Sequence, residues 1–358
     1  MTSRKKLEKL DVSRMIRIAV AMGLASTAAC AFATPGADAV DAQAREAWKE
    51  TITHTPSPAQ GCFHAVYPDT SWVRQQCFRA PHRHMAPPPV RFDVTTGSFQ
   101  VVGNHDDYMV KTPHTISQAI GTFPTVAKVR FERGVGDTDF GSGGDSGPNE
   151  YSLQLNSGFN LPTPSCHGHA GCTIWEQFLY ASDDFGGAGT GAVFIEYWLI
   201  GWGASDCPSG WGSFDYAGGS CVIDSDHMPA PREPITQIAN MKLSGTAVPG
   251  GNDTVVFTDG STAWSLSASD SVLDLGTAWN EAEFNVVGDA DGSRADFNPG
   301  ASLTLKIAVT DRSTSAPKCL GGIGTTGETN NLTLGSSCST AGGATPYIQF
   351  TESNAVKF

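Results

Sequence analysis

The sequence predicts an all-β protein whose antiparallel sheets pack face to face as a sandwich or jelly roll. From about Ser98 onward, short apolar runs are separated by Gly, Asn, Asp and Pro, which favour turns. Between Ser302 and Thr310, apolar and polar residues alternate as in a half-buried strand. The chain has 40 glycines and few convincing helical stretches; "ITQIANMKLSG" is one of the predicted strands, and "DSVLDLGTAWN" is one predicted helix. Short strands at regular spacing are typical of a sandwich, and residues 91–358 are enough to form one such domain.

Residues 1–33 are predicted to be a secretory signal peptide. Six basic residues are concentrated in the first 17 positions, and a mostly small and apolar stretch follows between Ile18 and Ala29. Ala31-Phe32-Ala33 then supplies a small-residue cleavage site. The apolar stretch is too short to persist as a membrane span. We therefore expect a secreted, extracellular protein.

Charge restricts the partners of the mature chain. Without residues 1–33, the chain carries 17 basic and 34 acidic side chains, a net charge near −17. A surface this acidic argues against nucleic acid or an anionic membrane as the main partner. No other stretch is apolar for long enough to cross a bilayer. We expect a soluble monomer.

Eight cysteines follow the predicted cleavage site, an even number that suggests disulfides in an exported chain. Eight cysteines allow 105 pairings, and proximity in the sequence favours one of them. The short "CHGHAGC" segment offers a weaker zinc interpretation, but it lacks the usual ligand spacing and a small disulfide loop is favoured. No metal or other cofactor is expected. The favoured pairs are Cys62–Cys77, Cys166–Cys172, Cys207–Cys221 and Cys319–Cys338.

Residues 34–90 are predicted to be an N-terminal extension or propeptide. A probable helix between Ala39 and Glu50 precedes a cysteine-bracketed segment, and the proline-rich run "APHRHMAPPPVRF" then resembles a linker. The histidines of this run, His82 and His84, are interpreted as solvated loop residues rather than ligands.

Gly144-Asp145-Ser146-Gly147-Pro148 is close to the nucleophile turn of chymotrypsin-like serine proteases. That chemistry needs a histidine base and an orienting aspartate on an earlier barrel. The only "TAAC" lies in the signal peptide and has no histidine, and about 110 mature residues before Ser146 are too few for the barrel. The motif is therefore interpreted as a glycine-rich surface turn.

Acid and amide side chains interrupt the aromatic strands downstream. In "TIWEQFLYA", Trp175 and Gln177 share one face of the predicted strand, while Glu176 lies on the other. In the next strand Glu196 aligns with Trp198, and in "WNEAEFNVVG" Glu283 alternates with apolar neighbours. The simpler interpretation is the solvent face of a half-buried sheet. The alternative is an aromatic-walled groove that binds or acts on a ligand.

The order of "WEQF", "FIEYWLIGW", "EAEFNVVGD" and "ADFNPG" resembles the glutamic peptidases (eqolisins), which are secreted β-sandwich endopeptidases. The resemblance implies a concanavalin-like jelly roll and an acid-acting endopeptidase with a polypeptide substrate. It aligns Gln177 with the catalytic glutamine and Glu283 with the catalytic glutamate. Trp175 and Trp198 would be groove aromatics, and we expect Glu196 between them to contribute to substrate binding.

This pairing implies a metal-free hydrolysis. Glu283, partly desolvated, would have a raised pKa and would act as general base toward a water molecule. Gln177 would hold that water and donate its amide N–H to the developing oxyanion. Protonated Glu283 would then return its proton to the leaving amine.

Two classes without catalysis remain open. A carbohydrate-binding, lectin-like sandwich would use aromatic side chains to stack on sugar rings, and the chain offers several tryptophans for this. A structural or interaction protein would need no chemistry. A loop with three aspartates could bind Ca²⁺ through its carboxylate oxygens. Because the loop does not have EF-hand spacing, a solvated turn is favoured. The residues concerned are Trp175, Trp198, Trp202, Trp211, Trp264, Asp289, Asp291 and Asp296.

Overall fold

The computed structural model describes most of the chain downstream of the predicted signal peptide. The described residues are 37–79, 84–85, 87, 90–93, 98–101, 107–136, 147–159, 161–183 and 190–354. The predicted signal peptide, His82, and Asp145 and Ser146 of the glycine-rich turn lie outside these ranges.

The first sheet has nine strands among the described residues, in the order β2-β1-β17-β16-β15-β6-β20-β24-β23. All of its pairings are antiparallel. The strands are β1 (Gly61–Val66), β2 (Val73–Gln75), β6 (Gln118–Ala127), β15 (Lys242–Ala247), β16 (Asn252–Asp259), β17 (Thr262–Ser269), β20 (Ser302–Thr310), β23 (Thr333–Ala341) and β24 (Tyr347–Ser353).

The second sheet carries the residues of interest and also has nine strands within the described part of the chain. Its order is β12-β13-β11-β10-β9-β18-β5-β21, and β14 pairs with β11 beside this path. The strands are β5 (Tyr108–Lys111), β9 (Tyr151–Ser157), β10 (Thr173–Ala181), β11 (Thr190–Ile200), β12 (Gly212–Phe214), β13 (Ser220–Asp224), β14 (Met228–Pro231), β18 (Glu281–Gly288) and β21 (Lys318–Gly321).

Smaller elements complete the described structure. A helix, α1 (Ala37–Thr53), precedes β1, and four short 3-10 helices span Pro164–Cys166, Ile235–Asn240, Asp270–Val272 and Leu275–Thr277. A four-stranded sheet contains β7 (Glu132–Val135), β8 (Gly147–Pro148), β19 (Arg294–Phe297) and β22 (Thr329–Asn330), and a hairpin contains β3 (Val90–Asp93) and β4 (Ser98–Val101). The predicted all-β sandwich is confirmed. None of the described helices combines the length and apolar character that a membrane crossing needs.

Two short segments differ from the sequence prediction. "ITQIAN", predicted as the start of a strand, forms a 3-10 helix whose Ile235 and Ile238 are both buried, as the three-residue period of that helix allows. "DSVLDLGTAWN", predicted as one helix, forms two 3-10 turns instead. Asp274 between them has φ 56°, a left-handed conformation that interrupts a helix.

Aromatic side chains of the second sheet fit against glycines of the first. Phe178 follows Gln177 on β10, and its ring occupies the space that a methyl group at Gly245 would fill. Phe284 follows Glu283 on β18, and its ring does the same at Gly121. Both rings are fully buried in the main core. The two strands that carry the candidate site are therefore seated on the opposite sheet by the residues next to the site.

We expect Gly245→Ala and Gly121→Ala each to destabilise the protein by about 1–3 kcal/mol, because the added methyl group would overlap a buried ring. Chemical unfolding with the disulfides intact would measure this. Gly212→Ala is the matched control, since Gly212 is an exposed strand glycine whose added methyl group would meet only ordinary contacts. Equal stability of all three variants would contradict the packing argument.

The predicted N-terminal helix is confirmed and packs on the first sheet. Trp48 and Ile52 of α1 are buried against Ala65 and Ala263. The strand after it, β1, pairs with β17 along its whole length and so extends the sheet. Part of the predicted extension is thus joined to the sandwich, while its division from residues 91–358 as a separate unit stays a prediction.

Four disulfides join the cysteine pairs favoured by proximity in the sequence. Cys166 and Cys172 close the "CHGHAGC" loop, so these sulfurs are not available for zinc. Disulfides of this number fit an oxidising compartment. The bonds are Cys62–Cys77, Cys166–Cys172, Cys207–Cys221 and Cys319–Cys338.

Carboxyl groups are buried between the two sheets. Glu176 and Asp253 are fully buried, their side-chain oxygens accept no well-formed hydrogen bond, and the two carboxyl groups contact each other. Burial, and then the charges of Asp253 and Asp270, raise the pKa of Glu176 well above its usual range. Burial, and then Asp270, raise the pKa of Asp253 to about 9. These side chains are therefore easier to bury when protonated.

Stability should consequently fall as the pH rises. The folded pKa of Asp253 lies above its value of about 4 in an unfolded chain. Its contribution is complete below about pH 4 and is lost as the pH rises toward 9, at up to about 1.4 kcal/mol per pH unit. Asp253→Asn should flatten this dependence in thermal unfolding measured across that range. Asp226→Asn, at an exposed position, is the control, and an unchanged slope in Asp253→Asn would contradict the assignment.

Candidate active site

A row of polar residues crosses the second sheet at one level. Asn156 on β9 pairs with Gln177 on one side and with Glu283 on the other. The row continues from Gln177 to Glu196 on β11 and then to Asp224 on β13. Residues paired across antiparallel strands project from the same face. The structure thus brings Gln177 and Glu283 onto one face, with Asn156 between them.

This face is the outer one, turned away from the first sheet. The neighbours of the row along each strand, such as Phe178 and Phe284, enter the core between the sheets. Because successive side chains of a strand point to opposite sides, Gln177 and Glu283 project from the other surface. The grouping of faces predicted from alternation is confirmed.

Three residues outside the predicted set, Gln154, Asn156 and Thr325, connect the row. Gln154, two positions before Asn156 on β9, accepts hydrogen bonds through Oε1 from Gln177 Nε2 at 3.3 Å and from Asn156 Nδ2 at 3.2 Å. Asn156 Nδ2 also donates to Thr325 Oγ1 at 3.3 Å. Thr325 donates to Glu283 Oε2 through its backbone N–H at 2.8 Å and through its hydroxyl group. Gln177 and Glu283 therefore belong to one hydrogen-bonded network.

Three oxygens of this network accept no well-formed hydrogen bond from the described residues, although the side chains of Asp107 and Asn156 lie close enough to Glu283 to favour its charged form. They are Gln177 Oε1, Asn156 Oδ1 and Glu283 Oε1, one on each of three adjacent strands. All three side chains are nearly or fully buried, with exposures of 0%, 1% and 1%. A buried acceptor without a partner costs free energy unless a water molecule or a ligand satisfies it. A water molecule or polar ligand between the two amides and the carboxylate would satisfy these acceptors.

The environment raises the pKa of Glu283. Burial is the largest cause, and the hydrogen bonds from Thr325 together with Asp107 and Asn156 act in the opposite direction by favouring the charged form. The pKa of Asp107 is raised further, by burial and then by the charges of Glu283 and Glu352. Burial and mutual repulsion thus favour one proton shared between these two carboxyl groups.

The other end of the row contains a second charged group of residues. Glu196 is fully buried, and its Oε1 accepts a hydrogen bond of 2.8 Å from Trp198 Nε1. Its Oε2 lies 2.9 Å from Nδ1 of His84, and the same nitrogen lies 3.4 Å from Asp224 Oδ2. His84 comes from the proline-rich segment, which the sequence predicted to be solvated. That prediction is wrong for His84, whose side chain is only 26% exposed.

The titration of this group follows from its contacts. Burial alone would lower the pKa of His84, but the contacts with Asp224 and Glu196 outweigh it and raise the pKa to about 10. Burial, followed by the charge of Asp224, raises the pKa of Glu196 well above its usual range, while His84 lowers it. An imidazolium between two carboxyl groups is the state that these contacts favour.

Trp175 and Trp198 are adjacent on the outer face but are not open to solvent. They pair directly across β10 and β11, with ring centroids 6.0 Å apart. Both are fully buried, because Phe159 packs on Trp175 and Phe214 packs on Trp198. A ligand reaches these rings only when that aromatic cover moves.

The remaining tryptophans and the aspartate loop do not extend this face. Trp202 and Trp264 belong to the main core between the sheets, and Trp211 packs at its margin. In the loop, Asp289 accepts a hydrogen bond from the backbone of Asp183, and Asp296 pairs with Arg294. Among the described residues, Asp289, Asp291 and Asp296 do not bring their ligand atoms together in a group that could hold a metal ion.

Sequence reasoning missed several members of the site. Gln154 and Asn156 alternate in "EYSLQLNS" as Gln177 and Trp175 do in their strand, and this repeated pattern was the available signal. Thr325 lies in a loop 42 residues beyond Glu283, and His84 is 112 residues before Glu196. No local pattern indicates such contacts.

Comparisons with known proteins give only distant likenesses. No protein-family model and no curated protein matches the chain. Among solved structures, Scytalido-glutamic peptidase with a peptide-based transition state analog is 12% identical, with a TM-score of 0.27, over 70% of this chain and 98% of that one. SCP-B, a member of the eqolisin family of peptidases in complex with a tripeptide, is 11% identical, with a TM-score of 0.28, over the same shares. Structural similarity at TM-scores this low does not indicate the function of this chain.

We expect Thr325→Val to raise the pKa of Glu283, because the variant loses a hydroxyl donor that favours the carboxylate. A carbon-detected NMR titration of the glutamate carboxyl groups would measure it. Thr326→Val is the control, since that hydroxyl group bonds to Glu328 instead. An unchanged or lowered pKa in Thr325→Val would show that the loop does not control the carboxylate.

Proposed function

We propose that this chain is an exported endopeptidase of glutamic type, in which Glu283 and Gln177 act through a shared water molecule. The observation that carries the proposal is a set of three buried oxygens on adjacent strands that accept no well-formed hydrogen bond. A carboxylate oxygen and two amide oxygens belong to side chains that project from the same face of the sheet at the level of Asn156. A water molecule there would satisfy at least two of them and would lie against its own general base.

The steps balance without a cofactor. Ionised Glu283 takes a proton from the water as the water oxygen bonds to the peptide carbonyl carbon. The carbonyl electron pair moves onto its oxygen, which receives a hydrogen bond from the Gln177 amide group. The tetrahedral intermediate then breaks its C–N bond, and the proton held by Glu283 passes to the leaving amine.

The environment of Glu283 suits this exchange of a proton. Burial raises its pKa, so it holds the proton from water more firmly than an exposed glutamate would. Burial and the charge of Glu283 raise the pKa of Asp107, which limits the negative charge that the two carboxyl groups carry together. Activity should decline on the acid side as Glu283 becomes protonated, because the base is then lost.

Access requires displacement of the residues that cover the face. Glu196 is covered by His84, and Met85 packs against Leu179 and Phe194 beside Gln177. A polypeptide could not enter while this segment lies on the sheet. We propose that cleavage in the proline-rich linker opens the face, and secreted active material should then show a new N-terminus within or after it.

The test is hydrolysis of a denatured protein, between about pH 2 and pH 7, by purified protein whose proline-rich linker has been cleaved. Wild type should cleave, and pepstatin or EDTA should leave the activity intact because no aspartic dyad or metal takes part. Glu283→Gln and Gln177→Ala should each reduce kcat by about 10²–10³-fold or more, since they remove the base and an oxyanion donor.

Glu281→Gln is the matched control. Glu281 lies two residues before Glu283 on the same strand, but its carboxylate is partly exposed and pairs with Lys111. It should retain activity. Equal activity of Glu283→Gln and Glu281→Gln would reject the mechanism even if some cleavage is present.

The same preparation distinguishes the non-catalytic alternative. If wild type shows no cleavage while a glycan array shows binding that Trp175→Ala or Trp198→Ala abolishes, the chain is a carbohydrate-binding protein. The burial of both rings and the placement of Trp264 in the core make this the less favoured function.

A further inference from the structure

A set of metal-ligand side chains assembles where the proline-rich segment meets the second sheet. His84, Glu196 and Asp224 each offer one ligand atom, and these atoms all lie within 4.8 Å of one another. Glu196 and Asp224 pair directly across β11 and β13. His84 contacts both from the covering segment, the part of the proline-rich run that contains His84 and Met85. The set lies in the same row as Gln177 but at the opposite end from Glu283.

The carboxylates at this place are short of positive charge. The side chains of Glu196 and Asp224 are 0% and 3% exposed, and among the described residues His84 is the cation that faces them both. Asp224 Oδ1 is buried without a hydrogen-bond partner. When both carboxyl groups are ionised, one imidazolium neutralises only one of them, and the remaining buried charge is costly. A divalent cation would neutralise both.

The surroundings also orient the ligands. Trp198 Nε1 donates to Glu196 Oε1 and leaves Oε2 directed at His84. Hydrogen bonds of this kind to a ligating carboxylate hold it in position in metal sites. The Nδ1–Oε2 and Nδ1–Oδ2 distances of 2.9 and 3.4 Å are close to the ligand separations of a compact tetrahedral site.

We propose that His84 Nδ1, Glu196 and Asp224 bind one divalent transition-metal cation of the zinc class. One imidazole and two carboxylates leave a fourth position open for water. Ca²⁺ and Mg²⁺ fit less well, because they prefer larger sets of oxygen ligands. The bound cation would tie the covering segment to the sheet through His84. The sequence by itself predicted no metal, and binding here does not depend on peptide hydrolysis.

Metal titration of the intact protein tests this site. The purified chain, retaining His84, is stripped with EDTA, dialysed and titrated with zinc chloride in a calorimeter and in thermal unfolding. We expect one equivalent to bind and the unfolding temperature to rise until that equivalent is filled. Cobalt(II) bound at the same site should give the visible absorption bands of a low-symmetry complex. Added zinc should displace the cobalt and remove these bands.

Variants locate the binding. His84→Gln and Asp224→Asn should each weaken zinc binding at least about 10-fold and abolish the rise in unfolding temperature. His54→Gln is the matched control, because His54 also lies beside a glutamate, Glu50, at 3.2 Å but on the exposed face of α1. His84 lies on the covering segment rather than in a core strand, so its variant should fold.

Two results would overturn the proposal. Absence of zinc binding in wild type would show that the three side chains form an ion pair only. Binding that survives in His84→Gln but is lost in His54→Gln would place the metal elsewhere. Neither result bears on the Glu283 mechanism, which is measured by hydrolysis.

Discussion

The register of β9 with its two neighbours is the constraint on which the candidate site depends. Asn156 is paired with Gln177 on one side and Glu283 on the other. Because side chains alternate with a period of two, a slip of one residue in either pairing would move one of them into the core. The rings of Phe178 and Phe284, seated against Gly245 and Gly121, oppose such a slip from the far side of the sheet. The apolar core thus specifies the geometry of the polar face.

Burial of carboxyl groups is the second feature of this molecule. Glu176 and Asp253 are enclosed between the sheets, while Glu283 and Glu196 are enclosed on the outer face. Each of these environments raises a pKa, and burial is the first cause in every case. These four carboxyl groups therefore bind a proton more tightly than exposed Asp and Glu side chains do. Protonation of Glu176 and Asp253 stabilises the fold, so these two groups do not oppose folding in an acidic medium.

On the outer face of the second sheet, hydrogen bonds hold the candidate site residues in position, and two residues of the proline-rich segment cover part of the row. Thr325 holds the carboxylate of Glu283, Gln154 holds the amide of Gln177, and both contacts come from described elements of the same domain. His84 and Met85 then lie over the other end of the row. The cover uses a charged contact at Glu196 and apolar packing beside it. The proposed catalytic and metal-binding groups therefore share one row across the strands.

The sequence by itself determined the features that depend on local order. Alternation in β10, β11 and β18 identified which residues share a face, and proximity of the cysteines identified all four disulfides, because both depend on neighbours along the chain. Alternation is silent on which strands lie side by side. The tertiary structure alone decided that Asn156 stands between Gln177 and Glu283, that Thr325 bonds to Glu283, and that His84 reaches Glu196. These are contacts between distant segments, set by strand order and loop placement, and no period within a single segment encodes them.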